Sequence, residues 1–123
     1  MTRLPIPTQY TLAAAAATGR TRLTAFDRAL LGAGVGNLNL VRVTSVLPPG
    51  AVHRDRLDLP PGSLCPIAYG TISSGVAGQT ISAAVGVGLS QDSFGMIMEF
   101  SGECSREEAE SVVRGMVEDA FAS

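Results

Sequence analysis

The stretch that decides the fold is residues 36–49, which read GNLNLVRVTSVLPP. From Leu38 onward the chain alternates polar and apolar residues and then turns apolar, as a half-buried strand does. A double proline ends this strand, because proline cannot donate a hydrogen bond to a β-ladder. Two adjacent hydroxyl residues, Thr44 and Ser45, precede that end. The junction is either a plain strand end or a peptide bond that the chain itself cuts, with Ser45 as the nucleophile.

Composition favours one domain and an oligomer. The 123 residues are near the commonest domain size, so we expect a single domain over residues 1–123. Charged residues make up 16% of the chain, below the roughly 25% of an average soluble domain. Part of the surface is therefore expected to be buried between protomers. The net charge of −2, the pI near 5.2 and the lack of a basic stripe argue against nucleic-acid binding.

The sequence predicts no export, membrane or metal function. The apolar run at residues 12–17 is too short for a signal core, and no segment approaches the ~20 apolar residues that span a bilayer. We therefore expect a cytoplasmic protein. Cys65 and Cys104 are its only cysteines and His53 its only histidine, a set that does not predict a metal site. We expect reduced thiols, because cytosolic proteins rarely keep disulfides, and assign His53 no role.

The remaining pattern is typical of an α+β protein with helices packed on sheet faces. Residues 10–17 are interpreted as a strand, with a short alanine-rich helix as the alternative. Thr24 is the expected N-cap of a helix that stops at Gly32. Further strands, separated by turn residues that favour antiparallel meanders, are expected within residues 63–73, 79–89 and 95–100. Ser105 and Glu108 match the capping box of a last helix.

Five motifs in register carry a family resemblance. They are Phe26-Asp27 with the glycine-rich run 32–40, TSVLPP at 44–49, AYG at 68–70, TISAA at 80–84 and IMEF at 97–100. In this order they resemble the pyruvoyl-dependent arginine decarboxylase family, from about residue 11 to the last helix. The resemblance implies an αββα-type sandwich of mainly antiparallel strands. It also implies a homotrimer or a dimer of trimers, with active sites between protomers.

The resemblance implies a self-processing decarboxylase that converts L-arginine to agmatine and CO2, a step towards polyamine synthesis or acid resistance. Its cofactor is a covalent pyruvoyl group, whose carbonyl takes up the electrons that decarboxylation leaves on Cα. The group would derive from Ser45 after attack of its Oγ on the carbonyl of Thr44. The cleavage site is then Thr44–Ser45, and the expected products are residues 1–44 and 45–123.

Three more residues are candidates for the site, each with a structural alternative. The resemblance makes Asp27 the partner of the substrate guanidinium, a suitable bidentate pair; the alternative is a first-turn acid on the helix dipole. Glu99 is the expected catalytic acid, because apolar neighbours and no cation should favour its protonated form; the alternative is a rim carboxylate.

The third candidate is Asn39, which the resemblance makes a donor to the developing oxyanion or a partner in processing; the alternative is a solvent-facing strand residue. Alternation places Asn39 and Ser45 on one face of the strand, but ~20 Å apart at ~3.3 Å per residue. A bend or a neighbouring protomer must bring the two side chains together.

Two departures from the family keep alternatives open. Thr44 stands where a serine is common, but it retains a hydroxyl, so we expect processing to survive. The sequence stops at Ser123, directly after the last helix, where family members usually continue, so the family's C-terminal strand sequence is expected to be absent. The alternatives are an unprocessed, non-catalytic sandwich protein, either truncated or a paralogous subunit, or a decarboxylase of another amino acid.

Overall fold

The computed structural model describes residues 3–122, which form two helices and seven short strands in three small sheets. In chain order the elements are β1 (Gln9–Tyr10), α1 (Arg22–Gly32), β2 (Asn39–Arg42), β3 (Val46–Leu47), β4 (Val52–His53), β5 (Leu64–Ile67), β6 (Ser82–Gly88), β7 (Gly95–Gly102) and α2 (Arg106–Ala122). The predicted α+β class is confirmed. Ser123, after which the family's strand sequence is expected to be absent, lies outside the described residues. Neither helix has the length and apolar character that crossing a bilayer requires.

The largest sheet has the order β3-β7-β6, and both of its pairings are antiparallel. Strands β6 and β7 form the hairpin that the turn residues predict. Helix α2 packs across one face of this hairpin. Small residues on β6 make room for the helix, since a Cβ at Gly86 would lie 3.2 Å from Val117 Cγ2. The opposite face of the sheet, which includes Val85, Ile97 and Glu99, is turned away from α2.

Helix α2 begins at the predicted capping box. The Glu108 N–H donates to Ser105 Oγ at 3.1 Å, and the Ser105 hydroxyl donates to Glu108 Oε1 at 3.3 Å. Two residues of its apolar stripe, Ala109 and Val113, are buried against the sheet. The third buried apolar side chain of the described residues is Leu47 of β3, on the opposite face of the sheet.

The other two sheets are parallel pairs, β1 with β4 and β2 with β5. The expected antiparallel meander is therefore wrong for residues 63–73, because β5 returns alongside β2 in the same direction. The connection from β2 to β5 contains two further strands. It is long enough to carry the chain back to the start of β2, as a parallel pairing requires. The strand pairing of the described residues is mixed rather than mainly antiparallel.

The strand predicted over residues 38–46 is two strands in two different sheets. Strand β2 ends at Arg42 and pairs with β5, whereas β3 begins at Val46 and pairs with β7. The expectation that Asn39 and Ser45 share one strand face is therefore wrong. A two-residue alternation holds only along an unbroken strand, and here the chain changes its partner between those two residues.

Two predictions near the N-terminus also change. Helix α1 begins at Arg22, because the Thr24 N–H donates to Thr21 Oγ1 at 3.1 Å and Thr21 is the N-cap. The predicted cap at Thr24 is wrong by one turn, while the predicted stop at Gly32 is confirmed. Of the strand expected over residues 10–17, Tyr10 alone lies in a strand, as the second residue of β1. Its remainder is rich in alanine, which has a low strand propensity.

A single chain buries little of its apolar surface. Helix α1 contributes no buried residue, and the large side chains left exposed include Leu23, Leu31, Val41 and Leu64. The accessible surface is 8996 Å², whereas a compact monomer of this mass exposes about 6,200 Å². The excess of about 2,800 Å² is the size of surface that obligate oligomers bury. Among residues 3–122, α2 is the helix that packs on a sheet, against β6 and β7.

Candidate active site at the Thr44–Ser45 junction

The Thr44–Ser45 peptide bond lies where the chain passes from one sheet to another. On its upstream side the Val43 N–H donates to Ile67 O at 2.9 Å, which extends the pairing of β2 with β5. On its downstream side the Ile97 N–H donates to Ser45 O at 2.7 Å, which extends the pairing of β3 with β7. Backbone hydrogen bonds therefore hold the residues on either side of Thr44, which is itself exposed.

The register of β3 and β7 brings Ser45 to the same sheet face as Glu99. Val46 is paired with Met96, so the Ile97 hydrogen bond places Ser45 opposite Ile97. Residues directly opposite each other in an antiparallel pair share a face. Glu99 is two residues further along β7 and shares that face. The structure therefore brings together two of the predicted site residues, at a diagonal separation of about 7 Å between their positions.

The surroundings of Glu99 differ from the prediction. Its side chain keeps 31% of its surface exposed, and Arg42 Nη2 lies 3.8 Å from Glu99 Oε1. The expectation of a carboxylate without a nearby cation is therefore wrong. The other close neighbour is Gly70, where a Cβ would lie 3.5 Å from Glu99 Cβ and 3.1 Å from Phe100 O. A glycine at position 70 lets the chain segment after β5 pass directly over β7 at Glu99.

Sequence reasoning gave no role to Arg42 or Tyr69. Arg42 Nη2 donates to Tyr69 O at 3.3 Å, and its Cζ stands 4.5 Å above the Tyr69 ring. The Tyr69 ring in turn faces the Phe26 ring, with centroids 6.1 Å apart. A line of contacts thus runs from helix α1 to Glu99. The sequence does show Arg42 as an isolated cation three residues before Ser45. Its partners, Glu99 of β7 and Tyr69 after β5, are distant in the chain and do not follow from local patterns.

Asp27 lies on α1, next to Phe26 and at an exposed position. It is the sixth residue of the helix, and no acid lies in the first turn. The interpretation as a first-turn acid on the helix dipole is therefore wrong, because that interaction falls off beyond the first turn. Among residues 3–122, no side-chain hydrogen bond or ion pair engages the Asp27 carboxylate. It is available to a cation from outside the chain.

Asn39 begins β2, which lies in a different sheet from β3, the strand that follows Ser45. The Asn39 Nδ2 donates to Gly62 O at 2.8 Å, beside the first pair of the β2–β5 ladder. The residue is exposed and shares a face with Val41 and Leu64, which are also exposed. The role proposed for Asn39 therefore requires a second copy of the chain at this face.

The residues at the junction fit a pyruvoyl group formed from Ser45. The conversion needs a hydroxyl nucleophile directly after a peptide carbonyl. Ser45 supplies the hydroxyl, and the carbonyl belongs to Thr44, an exposed residue. The hydrogen bond from the Ile97 N–H goes to the backbone oxygen of residue 45 and does not involve the Ser45 side chain. It would therefore hold the residue-45 carbonyl after the side chain is converted. Residues 3–122 contain no group of three metal-ligating side chains.

Comparison with known proteins places these observations in a family. A sequence model described as pyruvoyl-dependent arginine decarboxylase matches residues 9–123. The pyruvoyl-dependent arginine decarboxylase of Methanocaldococcus jannaschii is 48% identical over 118 residues, covering 94% of this chain and 72% of that protein. That of Pyrococcus abyssi is 49% identical over 118 residues, covering 94% of this chain and 75% of the relative. The chain, which carries Ser45 between two of its sheets, belongs to the pyruvoyl-dependent arginine decarboxylase family.

Proposed function

We propose that this chain is a self-processing pyruvoyl-dependent decarboxylase that converts L-arginine to agmatine and CO2. The observation that carries the proposal is the junction itself. A serine follows a peptide carbonyl at a change of sheet, is held by the Ile97 N–H at 2.7 Å and shares a face with Glu99. The named relatives, about 48% identical, are pyruvoyl-dependent arginine decarboxylases and support the same substrate and cofactor here.

Ser45 is the residue that cuts the chain. Its Oγ attacks the carbonyl carbon of Thr44, the peptide C–N bond breaks, and an ester with a free amine at residue 45 results. Removal of the Cα proton of residue 45 expels the Thr44 carboxylate and leaves dehydroalanine. Addition of water and loss of ammonia complete the conversion to pyruvoyl. The single domain over residues 1–123 then consists of the chains 1–44 and 45–123.

The site residues take distinct roles in decarboxylation. The pyruvoyl group supplies the carbonyl that takes up the electrons left on the substrate Cα. The Ile97 N–H holds the backbone carbonyl oxygen of residue 45, which is next to the carbon that becomes the keto group. Glu99, on the same sheet face, returns a proton to Cα after CO2 has left. Asp27 binds the substrate guanidinium as a charge-assisted pair, which its exposed and unengaged carboxylate supports.

The active site is completed between protomers of a homotrimer or a dimer of trimers. The excess accessible surface of about 2,800 Å² supports such an assembly. The sheet face that carries Asn39 supports it too, because Val41 is 47% exposed and Leu64 is 75% exposed beside it. Burying this face places Asn39 where it serves the junction of a neighbour as an oxyanion donor. The αββα-type sandwich is formed when α1 is covered in the same assembly.

We also place the protein in the cytoplasm. Cys65 and Cys104 are both free thiols, which supports a reducing compartment, since cytosolic proteins keep their thiols reduced.

Denaturing mass spectrometry of the purified protein tests the proposal. We expect two species, residues 1–44 and a pyruvoyl-blocked 45–123, from the wild-type chain and only the intact chain from Ser45→Ala. The wild-type preparation should release CO2 from L-arginine, and Ser45→Ala should not. A wild-type chain that stays intact after long incubation would overturn the enzyme function and favour the alternative, an unprocessed, non-catalytic protein. A cut chain that decarboxylates a different amino acid would overturn the substrate alone.

A further inference from the structure

Arg42 is the charged residue of the site region to which the proposed mechanism gives no task. It ends β2, and its guanidinium reaches three groups from two other segments. Nη2 donates to Tyr69 O at 3.3 Å, Cζ stands 4.5 Å over the Tyr69 ring, and Nη2 lies 3.8 Å from Glu99 Oε1. Tyr69 thus holds the Arg42 guanidinium from one side, and the positive charge of Arg42 lies beside the Glu99 carboxylate.

This arrangement contributes little to stability. The Arg42 side chain is 58% exposed, and exposed ion pairs are typically worth less than 1 kcal/mol. The separation of 3.8 Å is also too long for a hydrogen bond. The effect of Arg42 is therefore local, since it places a cation at the carboxylate of the candidate catalytic acid.

The substrate makes that placement consequential. L-Arginine carries a guanidinium of its own, and the site region offers two carboxylates, Asp27 and Glu99, to which it could bind. A guanidinium bound at Glu99 would put the substrate side chain where Cα must react. Asp27 is exposed and unengaged among residues 3–122, whereas Glu99 already faces Arg42 at 3.8 Å.

We propose that Arg42 is a positioning residue that reserves Glu99 for Cα, because it keeps a resident guanidinium 3.8 Å from the Glu99 carboxylate, where its charge repels a second guanidinium. Arginine then binds in one orientation, with its guanidinium at Asp27 and its Cα beside Ser45 and Glu99. The inference rests on the proposed function and adds the cause of the substrate's orientation. It also gives the upstream fragment a task after the cut, since Arg42 lies within residues 1–44 and Glu99 within residues 45–123.

The kinetic test uses Arg42→Gln, which removes the charge and keeps N–H groups for Tyr69 O. We expect self-cleavage to remain complete and the rate to fall at high arginine concentration, because a second guanidinium then occupies Glu99. With an exposed ion pair freed, a drop of about twofold to fivefold from the maximum rate is expected. Arg42→Lys should restore hyperbolic kinetics, since an ammonium also keeps a positive charge beside Glu99. Arg56→Gln is the matched control, because Arg56 pairs with exposed Asp58, and it should remain hyperbolic.

A binding test does not depend on turnover. In the uncut Ser45→Ala chain, titration with methylguanidinium should shift the NMR amide signals around Asp27 and leave those around Glu99 unchanged. In the Ser45→Ala/Arg42→Gln chain, both sets should shift. Unchanged Glu99 signals there, or hyperbolic kinetics of Arg42→Gln, would overturn the role of Arg42. Failure of wild-type cleavage would instead overturn the proposed function, so the two failures are distinguishable.

Discussion

At the scale of single residues, the two candidate carboxylates stand in opposite surroundings. Glu99 is partly covered, lies on a sheet face and has Arg42 Nη2 3.8 Å from its Oε1. Asp27 is exposed on a helix, beyond the first turn, and no side chain of residues 3–122 pairs with it. A mobile cation is therefore attracted to Asp27, whereas Glu99 is already compensated. This difference supports binding of the substrate guanidinium by Asp27 rather than by Glu99.

Asp27→Asn should weaken arginine use without affecting the cut. The loss of a charge-assisted pair to a guanidinium costs about 1.5–3 kcal/mol, so kcat/KM should fall about 10- to 100-fold. Steady-state kinetics and denaturing mass spectrometry measure the two effects on the same preparation. Asp58→Asn is the control, because Asp58 is an exposed carboxylate that pairs with Arg56. An Asp27→Asn chain that also fails to cut itself would show that Asp27 is structural.

Cys65 provides a pH-dependent prediction. Burial raises the pKa of the Cys65 thiol, so at about pH 9 the native chain holds less thiolate than the unfolded chain. Alkylation proceeds through the thiolate, and iodoacetamide should therefore modify Cys65 more slowly in native than in denaturant-unfolded protein. The folded state binds this proton more tightly, so the associated stability is present below the ordinary pKa. It is lost as the pH rises through the raised value.

Peptide mapping by mass spectrometry after timed alkylation measures this difference. The difference in the alkylation rate of Cys65 between native and unfolded protein should decrease as the pH rises above the raised pKa, because the thiolate then dominates in both states. Equal alkylation rates at about pH 9 would contradict the shift.

At the scale of elements, the site depends on how closely β7 approaches its neighbours. Gly95 is buried at the start of β7 and pairs with Leu47 of β3. A Cβ there would lie 2.5 Å from Gly88 O and 3.3 Å from Leu47 Cβ. The nearest atom belongs to the backbone of the hairpin and cannot turn aside as a side chain can. A methyl group at position 95 must therefore displace Gly88 at the end of β6, and it also crowds Leu47 of β3, the strand that begins directly after Ser45.

Gly95→Ala should destabilise the chain by about 1–3 kcal/mol, as overpacking does, and slow the cut at Ser45. Gly115→Ala introduces the same methyl group in α2, where a Cβ would meet nothing within 4 Å. It should stabilise the chain by about 0.5–1 kcal/mol, since alanine is the better helix former. Thermal unfolding at equal protein concentration compares the two variants, and time-resolved mass spectrometry follows the cut. Shifts of the same sign would contradict the packing at Gly95.

The sequence predicted elements where local signals decide and missed contacts that distant segments decide. The capping box at Ser105 and the β6–β7 hairpin follow from patterns within a few residues. The break after Arg42 depends on which sheet each half of the stretch joins, and periodicity carries no such information. Thr21 was missed because Thr24 has the same capping chemistry one turn later. Ser45 and Glu99 were predicted individually, but the pairing of Glu99 with Arg42 required the register.

At the scale of the whole molecule, the described residues bury little apolar surface within one chain. Its buried apolar core consists of Leu47, Ala109 and Val113 among the described residues. Such a core is small for a chain of this length, in which most of the stability should come from buried apolar surface. Exposed apolar side chains include Leu31 on α1, and Val41 and Leu64 on the Asn39 face of the β2–β5 pair. Exposed apolar surface of this kind is typical of interaction surfaces, so we expect stability and catalysis to depend on the same assembly.

Mixed oligomers of two defective chains test whether a site is shared between protomers. If Asn39 assists the cut of a neighbour, an Asn39→Ala chain should remain largely intact alone. It should then be cut between Thr44 and Ser45 when co-expressed with a Ser45→Ala chain. The Ser45→Ala partner keeps its own Asn39 on the exposed face of β2 and supplies it to the junction of the Asn39→Ala chain.

Distinct affinity tags on the two chains allow the mixed oligomers to be purified, and denaturing mass spectrometry counts the cut Asn39→Ala chains. The control is co-expression with the double variant Asn39→Ala/Ser45→Ala, which offers the same surface without the amide and should give no cut. Asn39→Ala chains that stay intact in both mixtures would show that Asn39 acts within its own chain. Since its Nδ2 donates to Gly62 O at 2.8 Å within the chain, that result would leave Asn39 as a residue that fixes the loop before β5. Restored cleavage with the Ser45→Ala partner alone is the expected outcome, because Asn39 lies on an exposed face of β2, in a different sheet from the strand that follows Ser45.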